Sequence, residues 1–177
     1  MKNFESLFQD LVKDMYNAEK QVLKALPKAA KAASDEKLSA AFEEHRTQTE
    51  GHVERLEKVA EMMDFKPSGK VCAAAKGIIE EMSEAIDEYE EGPLRDAMLI
   101  CGGQKFEHYE MANYGTAVQW AKLLGNQDVV KLLQETLKEE EQTDDNLTKL
   151  AEGGINKAAQ AGDKNAGAKM KQNVSVK

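Results

Sequence analysis

Apolar residues recur at alternating three- and four-residue spacings over four long stretches of the chain. This spacing places them on one side of an α-helix, the side that a soluble protein buries. In the first stretch the series begins Phe4, Leu7, Phe8, Leu11 and Met15. The predicted helices, named A to D here, span Asn3–Ala33, Asp35–Met63, Pro93–Leu124 and Gln127–Glu152.

The connections between these helices favour one topology. Ser34 is a plausible N-cap directly after helix A, and Gly125-Asn126 ends helix C and caps helix D, so A–B and C–D are predicted hairpins. Pro67 and Gly69 break the pattern after helix B, and a further helical stretch covers Val71–Tyr89. About twenty helical residues span about 30 Å, enough to return the chain along a whole bundle. The sequence therefore predicts an all-α, ferritin-like four-helix bundle with a helical crossover between helices B and C.

Composition agrees with one helical domain and adds a basic C-terminal segment. The chain has 177 residues, a low aromatic content and only three prolines, of which Pro27 is expected to kink or restart the end of helix A. Residues 153–177 contain five lysines and one aspartate, although the whole chain carries a net charge of −8. We expect the bundle to occupy residues 1–153 and a flexible basic tail to occupy residues 154–177.

Several classes of function are disfavoured by charge and hydropathy. An acidic body is unsuited to binding a nucleic-acid backbone, and no apolar run is long enough to span a membrane. The N-terminal stretch contains acidic residues and lacks a small-residue cleavage site, so we expect a cytoplasmic protein. Cys72 and Cys101 match no metal-binding spacing, and buried free thiols are favoured over a disulfide.

Carboxylates interrupt the buried faces of three predicted helices. Glu19 borders the apolar stripe of helix A, Glu107 and Glu110 lie on neighbouring turns of helix C, and Glu140 and Asp144 replace leucines in the inward series of helix D. Buried charges are costly unless they are paired or bind a metal ion. We therefore favour a metal site over a frayed, solvated helix face, with iron or manganese as the ions suited to these ligands.

Helix B is the least clear contributor. Glu50 flanks its inward seam, while His45 and His52 occupy seam positions. An E-x-x-H ligand pair is absent, so Glu50 is expected to be the metal ligand from helix B. His45 is either a second ligand or a hydrogen-bonded core histidine. His52 is less favoured than His45 as a ligand. The predicted metal ligands form an oxygen-rich set: Glu19, His45, Glu50, Glu107, Glu110, Glu140 and Asp144.

Four segments in order also resemble a known family. They are MYNAEKQVLKALPKAA in helix A, FEEHRTQTEGHVERLE in helix B, QKFEHYEMANYGTA in helix C and LLQETLKEEEQTDDNLTKLA in helix D. These segments look like the YciE/YciF stress-response proteins. The resemblance covers roughly residues 3–153 and implies a rubrerythrin-like bundle, a homodimer, a di-iron centre at the carboxylate positions above and a link to stress.

Three functions are compatible with these observations. The first is a metalloenzyme in which a pair of Fe or Mn ions reacts with oxygen or peroxide. The second is a protein that binds or stores metal without turnover. The third is a structural stress protein with a degenerate metal site. One bundle can host any of them, so the fold does not decide the function.

Overall fold

The computed structural model describes residues 2–162, and these residues are helical apart from short connections. Helix α1 spans Phe4–Ala32, α2 spans Glu36–Met62, α3 spans Ala73–Glu88, α4 spans Pro93–Leu123 and α5 spans Gln127–Leu150. A π-helical turn, Ala151–Ile155, follows, and helical residues continue to 162. Helices α1, α2, α4 and α5 correspond to predicted helices A to D, and α3 is the crossover. The all-α prediction is confirmed.

The four long helices pack in a ring. Helix α1 packs on α2 and α4, and α5 packs on α4 and α2. Helix α3 lies against α1 and α4. The short connections make α1–α2 and α4–α5 the two hairpins, and the α3 crossover joins them.

Two details of the first hairpin differ from the prediction. Helix α1 is continuous through Pro27, so the predicted restart is not observed. The N-cap of α2 is Asp35 and not Ser34, because the Asp35 carboxylate accepts hydrogen bonds from the backbone amides of Lys37 and Leu38.

The core consists of two apolar clusters separated by a polar layer. On α2, Leu38 and Phe42 belong to one cluster, whereas Leu56 and Val59 belong to the other. The buried α2 residues between them are polar. The other three long helices show the same change from apolar to polar to apolar residues. The polar layer therefore lies inside the bundle, with an apolar cluster on each side.

Two glycines of α4 allow close packing. A Cβ atom on Gly102 would lie 3.0 Å from Met82 Cε, and one on Gly103 would lie 3.0 Å from Leu147 Cδ1. Both distances are shorter than a comfortable van der Waals contact. These glycines let α3 and α5 approach α4 near the polar layer.

A buried aspartate connects the two hairpins. Asp96 of α4 is 3% exposed and accepts hydrogen bonds from the backbone amides of Ser34 and Asp35, at 2.7 and 2.9 Å. These amides belong to the tight connection between α1 and α2. The Asp96 carboxylate therefore holds the connection between α1 and α2 against the first turn of α4.

Replacing Asp96 with alanine is expected to reduce the free energy of unfolding by about 2–4 kcal/mol, because two charge-assisted hydrogen bonds are lost. Asn is the matched control, since its amide oxygen can accept one of the two bonds. Chemical denaturation of the three proteins measures the effect. An Asp96→Ala protein as stable as the wild type would show that this contact contributes nothing.

The two cysteines occupy different environments. Cys72 is buried at the N-terminus of α3, where its thiol lies 2.9 Å from the Tyr109 hydroxyl. Cys101 is exposed on α4, so the prediction of a buried thiol is wrong for this residue. Both thiols are free, in agreement with the prediction of no disulfide.

The described helix extends beyond residue 153, the end of the bundle expected from the sequence. Ile155 and Ala159 are buried, so residues 154–162 pack on the bundle. The rest of the predicted tail, residues 163–177, lies outside the described residues. Within residues 2–162, no helix has the length and apolarity needed to cross a bilayer.

Candidate metal centre

Six metal-ligating side chains from all four long helices converge in the polar layer. None of them is more than 3% exposed. Helix α1 contributes one carboxylate, α2 contributes two imidazoles, α4 contributes two carboxylates and α5 contributes one. The six residues are Glu19, His45, His52, Glu107, Glu110 and Glu140.

Helical spacing explains why these side chains point inward. On α2, His45, Thr49 and His52 are separated by four and three residues and are all buried, so both imidazoles share one face. On α4, Glu107 and Glu110 are three residues apart and occupy adjacent turns of the buried face. The same helical periodicity therefore directs the residues of the polar layer and of the two apolar clusters towards the interior of the bundle.

The six residues form two groups, each able to hold one metal ion. His45, Glu107, Glu110 and Glu140 each offer a ligand atom, and these atoms lie within 4.8 Å of one another. Glu19, His52 and Glu140 form the second group by the same criterion. Glu140 belongs to both groups. Glu140 could therefore serve as a ligand in either group.

The histidines make close contacts with the carboxylates of the layer. His52 Nδ1 lies 2.9 Å from Glu140 Oε1 and 3.5 Å from Glu19 Oε2. His45 Nε2 lies 3.4 Å from Glu107 Oε1. The Tyr114 hydroxyl, also buried, donates a hydrogen bond to Glu19. Each histidine thus directs one ring nitrogen at the carboxylates.

Many polar atoms of this layer lack hydrogen-bond partners. Both carboxylate oxygens of Glu110 and of Glu140 are buried without a partner, as are Glu19 Oε2 and Glu107 Oε2. His45 Nε2 and His52 Nδ1 are also buried without a hydrogen-bond partner. Unpartnered buried polar atoms are rare in native proteins and costly. The orphaned atoms are the ligand atoms that metal ions would engage, so the residues fit a dinuclear metal centre.

The protonation of the layer reflects its excess of carboxylates. Burial, reinforced by neighbouring carboxylates, raises the pKa of Glu107 and of Glu110 well above the ordinary value. Burial alone would lower the pKa of His52, but Glu19 and Glu140 outweigh it and raise that pKa to about 10. Burial lowers the pKa of His45. Without metal, protons held by Glu107, Glu110 and His52 compensate part of the negative charge.

The pKa of Glu140 moves in the opposite direction. Burial would raise it, but the hydrogen bond and charge of His52 outweigh burial and lower it. Glu140 is therefore the carboxylate that remains ionised beside the imidazoles. This is the state required of a metal ligand.

Two predicted ligands lie outside the two groups. Glu50 is exposed, and its carboxylate lies 3.8 Å from an Arg46 guanidinium nitrogen. It follows the inward residue Thr49, and one step along a helix turns a side chain by about 100°. The buried polar face of α2 instead presents its histidines.

Asp144 is the second predicted ligand outside the groups. The buried positions of α5 include Thr136, Glu140, Thr143 and Leu147, so Thr143 takes the inward position that the sequence assigned to Asp144. Asp144 is partly exposed, and its Oδ1 lies 3.4 Å from Gln104 Nε2 and 3.5 Å from His108 Nε2. It lies at the margin of the polar layer.

His52 belongs to one of the two groups, although the sequence analysis left it out of the predicted ligand set. Its seam position was visible, but a single inward histidine is as consistent with a core hydrogen bond as with ligation. The pairing with Glu140 and Glu19 appears only in three dimensions. The cluster consequently holds four carboxylates and two imidazoles, the same inventory as ferritin-like dinuclear sites. Here both imidazoles come from one helix.

Comparisons with known proteins agree with this architecture. A family model described as "Domain of unknown function (DUF892)" matches residues 3–160. The chain is 47% identical to Protein YciF of Escherichia coli K12 over 161 residues, which cover 90% of this chain and 97% of YciF.

Solved structures give the same result. The crystal structure of the E. coli stress protein YciF superposes with a TM-score of 0.85 and covers 89% of this chain and 99% of its own. YcfI from Rhodopseudomonas palustris, 36% identical, has a TM-score of 0.79 and covers 83% of this chain and 94% of its own. A protein from Xanthomonas campestris, 18% identical, shares the fold with a TM-score of 0.71, covering 91% of this chain and 98% of its own. The chain therefore belongs to the DUF892 family, together with the stress protein YciF.

Proposed function

We propose that this protein binds a dinuclear centre of iron or manganese in the polar layer of the bundle. The observation that carries the proposal is the set of buried, unpartnered ligand atoms in two groups that share Glu140. Four carboxylates carry up to four negative charges, which two divalent ions would neutralise. Metal binding would thus remove the electrostatic cost of the layer.

The donor atoms support iron or manganese over softer metals. Both groups contain carboxylate oxygens and one imidazole nitrogen and no thiolate. Carboxylates suit Mn²⁺ and imidazole suits Fe²⁺, whereas thiolates select Cu(I) and iron–sulfur clusters. The mixed set therefore fits iron or manganese.

A dinuclear iron or manganese centre supplies redox chemistry with oxygen or peroxide, and we propose this reaction class for the protein. Tyr114 supports it, since its buried hydroxyl holds a proton beside Glu19. Burial and the nearby carboxylates keep the pKa of Tyr114 well above its ordinary value. The hydroxyl therefore stays protonated at neutral pH.

The alternative is a protein that holds metal without turnover or has a structural role in stress. The burial of all six ligands favours it, because a sealed centre limits access for substrates. R. palustris YcfI, a relative, has been described as a candidate structural protein. In both proposals, a role in stress is suggested by the similarity to the E. coli stress protein YciF.

We also propose that the protein is a cytoplasmic homodimer.

Metal analysis of protein purified without chelator tests the proposal. We expect two Fe or Mn ions per chain, with anomalous scattering at the iron and manganese edges located between Glu140 and the histidines. Protein without bound metal, which also takes up none from added Fe²⁺ or Mn²⁺, would overturn it. Oxygen consumption or peroxide loss on adding Fe²⁺, compared with a Glu140→Leu control, separates a reactive centre from a storage site.

A further inference from the structure

His52 has carboxylates on both sides of its ring. Its Nδ1 faces the polar layer, where Glu140 Oε1 lies 2.9 Å away. Its Nε2 points in the opposite direction and lies 2.9 Å from Glu139 Oε2. Glu139 directly precedes the shared ligand Glu140 in the chain, and the sequence suggests only a surface acid. In the structure its side chain is 30% exposed and contacts a fully buried imidazole.

Arg55 holds Glu139 in this position. The two terminal guanidinium nitrogens of Arg55 lie 2.8 and 2.7 Å from the same Glu139 oxygen that contacts His52. One of these nitrogens also donates to the Thr136 hydroxyl, at 2.8 Å. The Arg55 side chain is only 13% exposed. Its hydrogen bonds are thus largely shielded from water, and the Glu139 carboxylate has little freedom to turn away.

The tautomer of His52 decides whether it can bind metal. A ring nitrogen can coordinate an ion only when it carries no proton, so Nδ1 must be bare and the neutral ring must keep its proton on Nε2. The hydrogen-bond acceptor beside Nε2 is Glu139. A carboxylate behind a metal-binding histidine fixes the tautomer and the ring orientation and strengthens the imidazole as a ligand.

His45 is supported less closely. Its Nδ1 lies 4.0 Å from Glu140 Oε2, beyond hydrogen-bond distance. The same nitrogen lies 3.3 Å from the Thr143 hydroxyl, which also contacts the Glu139 carbonyl and the Gln48 side chain. A neutral hydroxyl at this distance is a weaker acceptor than an ionised carboxylate at 2.9 Å. The two imidazoles of the centre are therefore held unequally.

We propose that Glu139, held by Arg55, is a positioning residue that fixes the Nε2–H tautomer of His52 and so prepares Nδ1 to bind one of the two metal ions. The inference rests on the proposed metal function. It concerns only the ion of the Glu19–His52–Glu140 group, because His52 does not belong to the other group.

Titration of the metal-free protein with Co²⁺, whose visible absorption reports ligand geometry, tests the inference. In Glu139→Leu we expect affinity for one of the two ions to fall about 10–100-fold. The second ion should bind as in the wild type. Glu139→Gln keeps a neutral acceptor at the same position and should recover part of the loss. The matched control is Glu141→Leu, which removes an exposed carboxylate on the other side of Glu140.

Nitrogen-15 NMR of the histidines in the Zn²⁺-loaded proteins supplies a readout that a purely structural role would not change. The wild type should show His52 coordinated through Nδ1 with its proton on Nε2, and Glu139→Leu should lose this signature while melting cooperatively. Wild-type Co²⁺ affinity in Glu139→Leu, or equal weakening of both ions, would overturn the inference alone. A wild-type protein that binds no Co²⁺ would overturn the proposed function as well.

Discussion

Replacing Glu140 with leucine is expected to eliminate both metal ions from the protein while leaving it folded. Glu140 is the one residue shared by the two ligand groups, so its loss leaves both groups incomplete. It is also fully buried, and leucine fills a similar volume without a charge. In the metal-free protein Glu140 pairs with His52, whose Nδ1 lies 2.9 Å from Glu140 Oε1. Removing one partner of a buried pair costs about 3–5 kcal/mol, so the metal-free variant should be less stable than the metal-free wild type.

Metal content and thermal unfolding of the same samples measure this effect. We expect two ions per wild-type chain and none in the variant. Excess Mn²⁺ should raise the stability of the wild type by about 4 kcal/mol at a thousandfold excess over Kd and that of the variant hardly at all. Asp144→Leu is the matched control, because Asp144 lies outside both groups on the same helix. Metal retained by Glu140→Leu, or lost equally from Asp144→Leu, would place the site elsewhere.

Metal loading is also expected to reverse the dependence of stability on pH. In the metal-free protein, the raised pKa values of Glu107, Glu110 and His52 mean that the native state holds protons that the unfolded chain has released. For His52 this difference extends from the ordinary pKa of 6.5 to about 10. Its stabilising contribution is complete below pH 6.5 and is lost as the pH rises towards 10. The lowered pKa values of His45 and Glu140 act at more acidic pH.

The free energy of unfolding of the metal-free protein should thus decrease by about 1.4 kcal/mol per pH unit for the proton held by His52 between pH 6.5 and 8.5. In the Mn²⁺-loaded protein it should increase over the same range, because metal binding requires deprotonated ligands. Urea unfolding under anaerobic conditions, with chelator or with Mn²⁺, gives both slopes. His52→Gln should flatten the metal-free slope. A metal-free protein that becomes more stable from pH 6.5 to 8.5 would contradict the assignment.

The helices were largely predictable from the sequence because their apolar residues recur at helical spacing along almost their whole length. The observed ends lie within a few residues of the predicted ones, and the differences arise at local features such as the Asp35 cap. The crossover was also predictable, since two short connections and one long helical segment leave few topologies. The packing of residues 154–162 was not, because Ile155 and Ala159 form too short an apolar series to indicate a buried helix.

The candidate metal centre was predictable only in part. Carboxylates within or beside an apolar stripe are conspicuous, and the structure brings Glu19, Glu107, Glu110 and Glu140 together. One step along a helix separates a buried side chain from a solvated one. For this reason Glu50, beside Thr49, and Asp144, beside Thr143, were predicted as ligands although they lie outside the two groups.

The role of Glu139 was beyond reach of the sequence for a different reason. Three consecutive glutamates, at positions 139–141, are equivalent as letters. The structure separates them into a carboxylate that contacts His52 and Arg55, a buried member of both candidate ligand groups and an exposed acid. Only the contacts of Arg55 and His52 with the first of them reveal the distinction.

The distribution of ligands among the helices also sets the earliest moment at which the growing polypeptide can acquire metal. One group draws on α2, α4 and α5, and the other on α1, α2 and α5. Neither hairpin alone can complete a coordination shell, and Glu140 lies on the last of the long helices to leave the ribosome. A nascent chain that ends before this residue therefore exposes only incomplete sets of ligands. With the proposed function, a complete metal site would therefore form only after α5 has been synthesised.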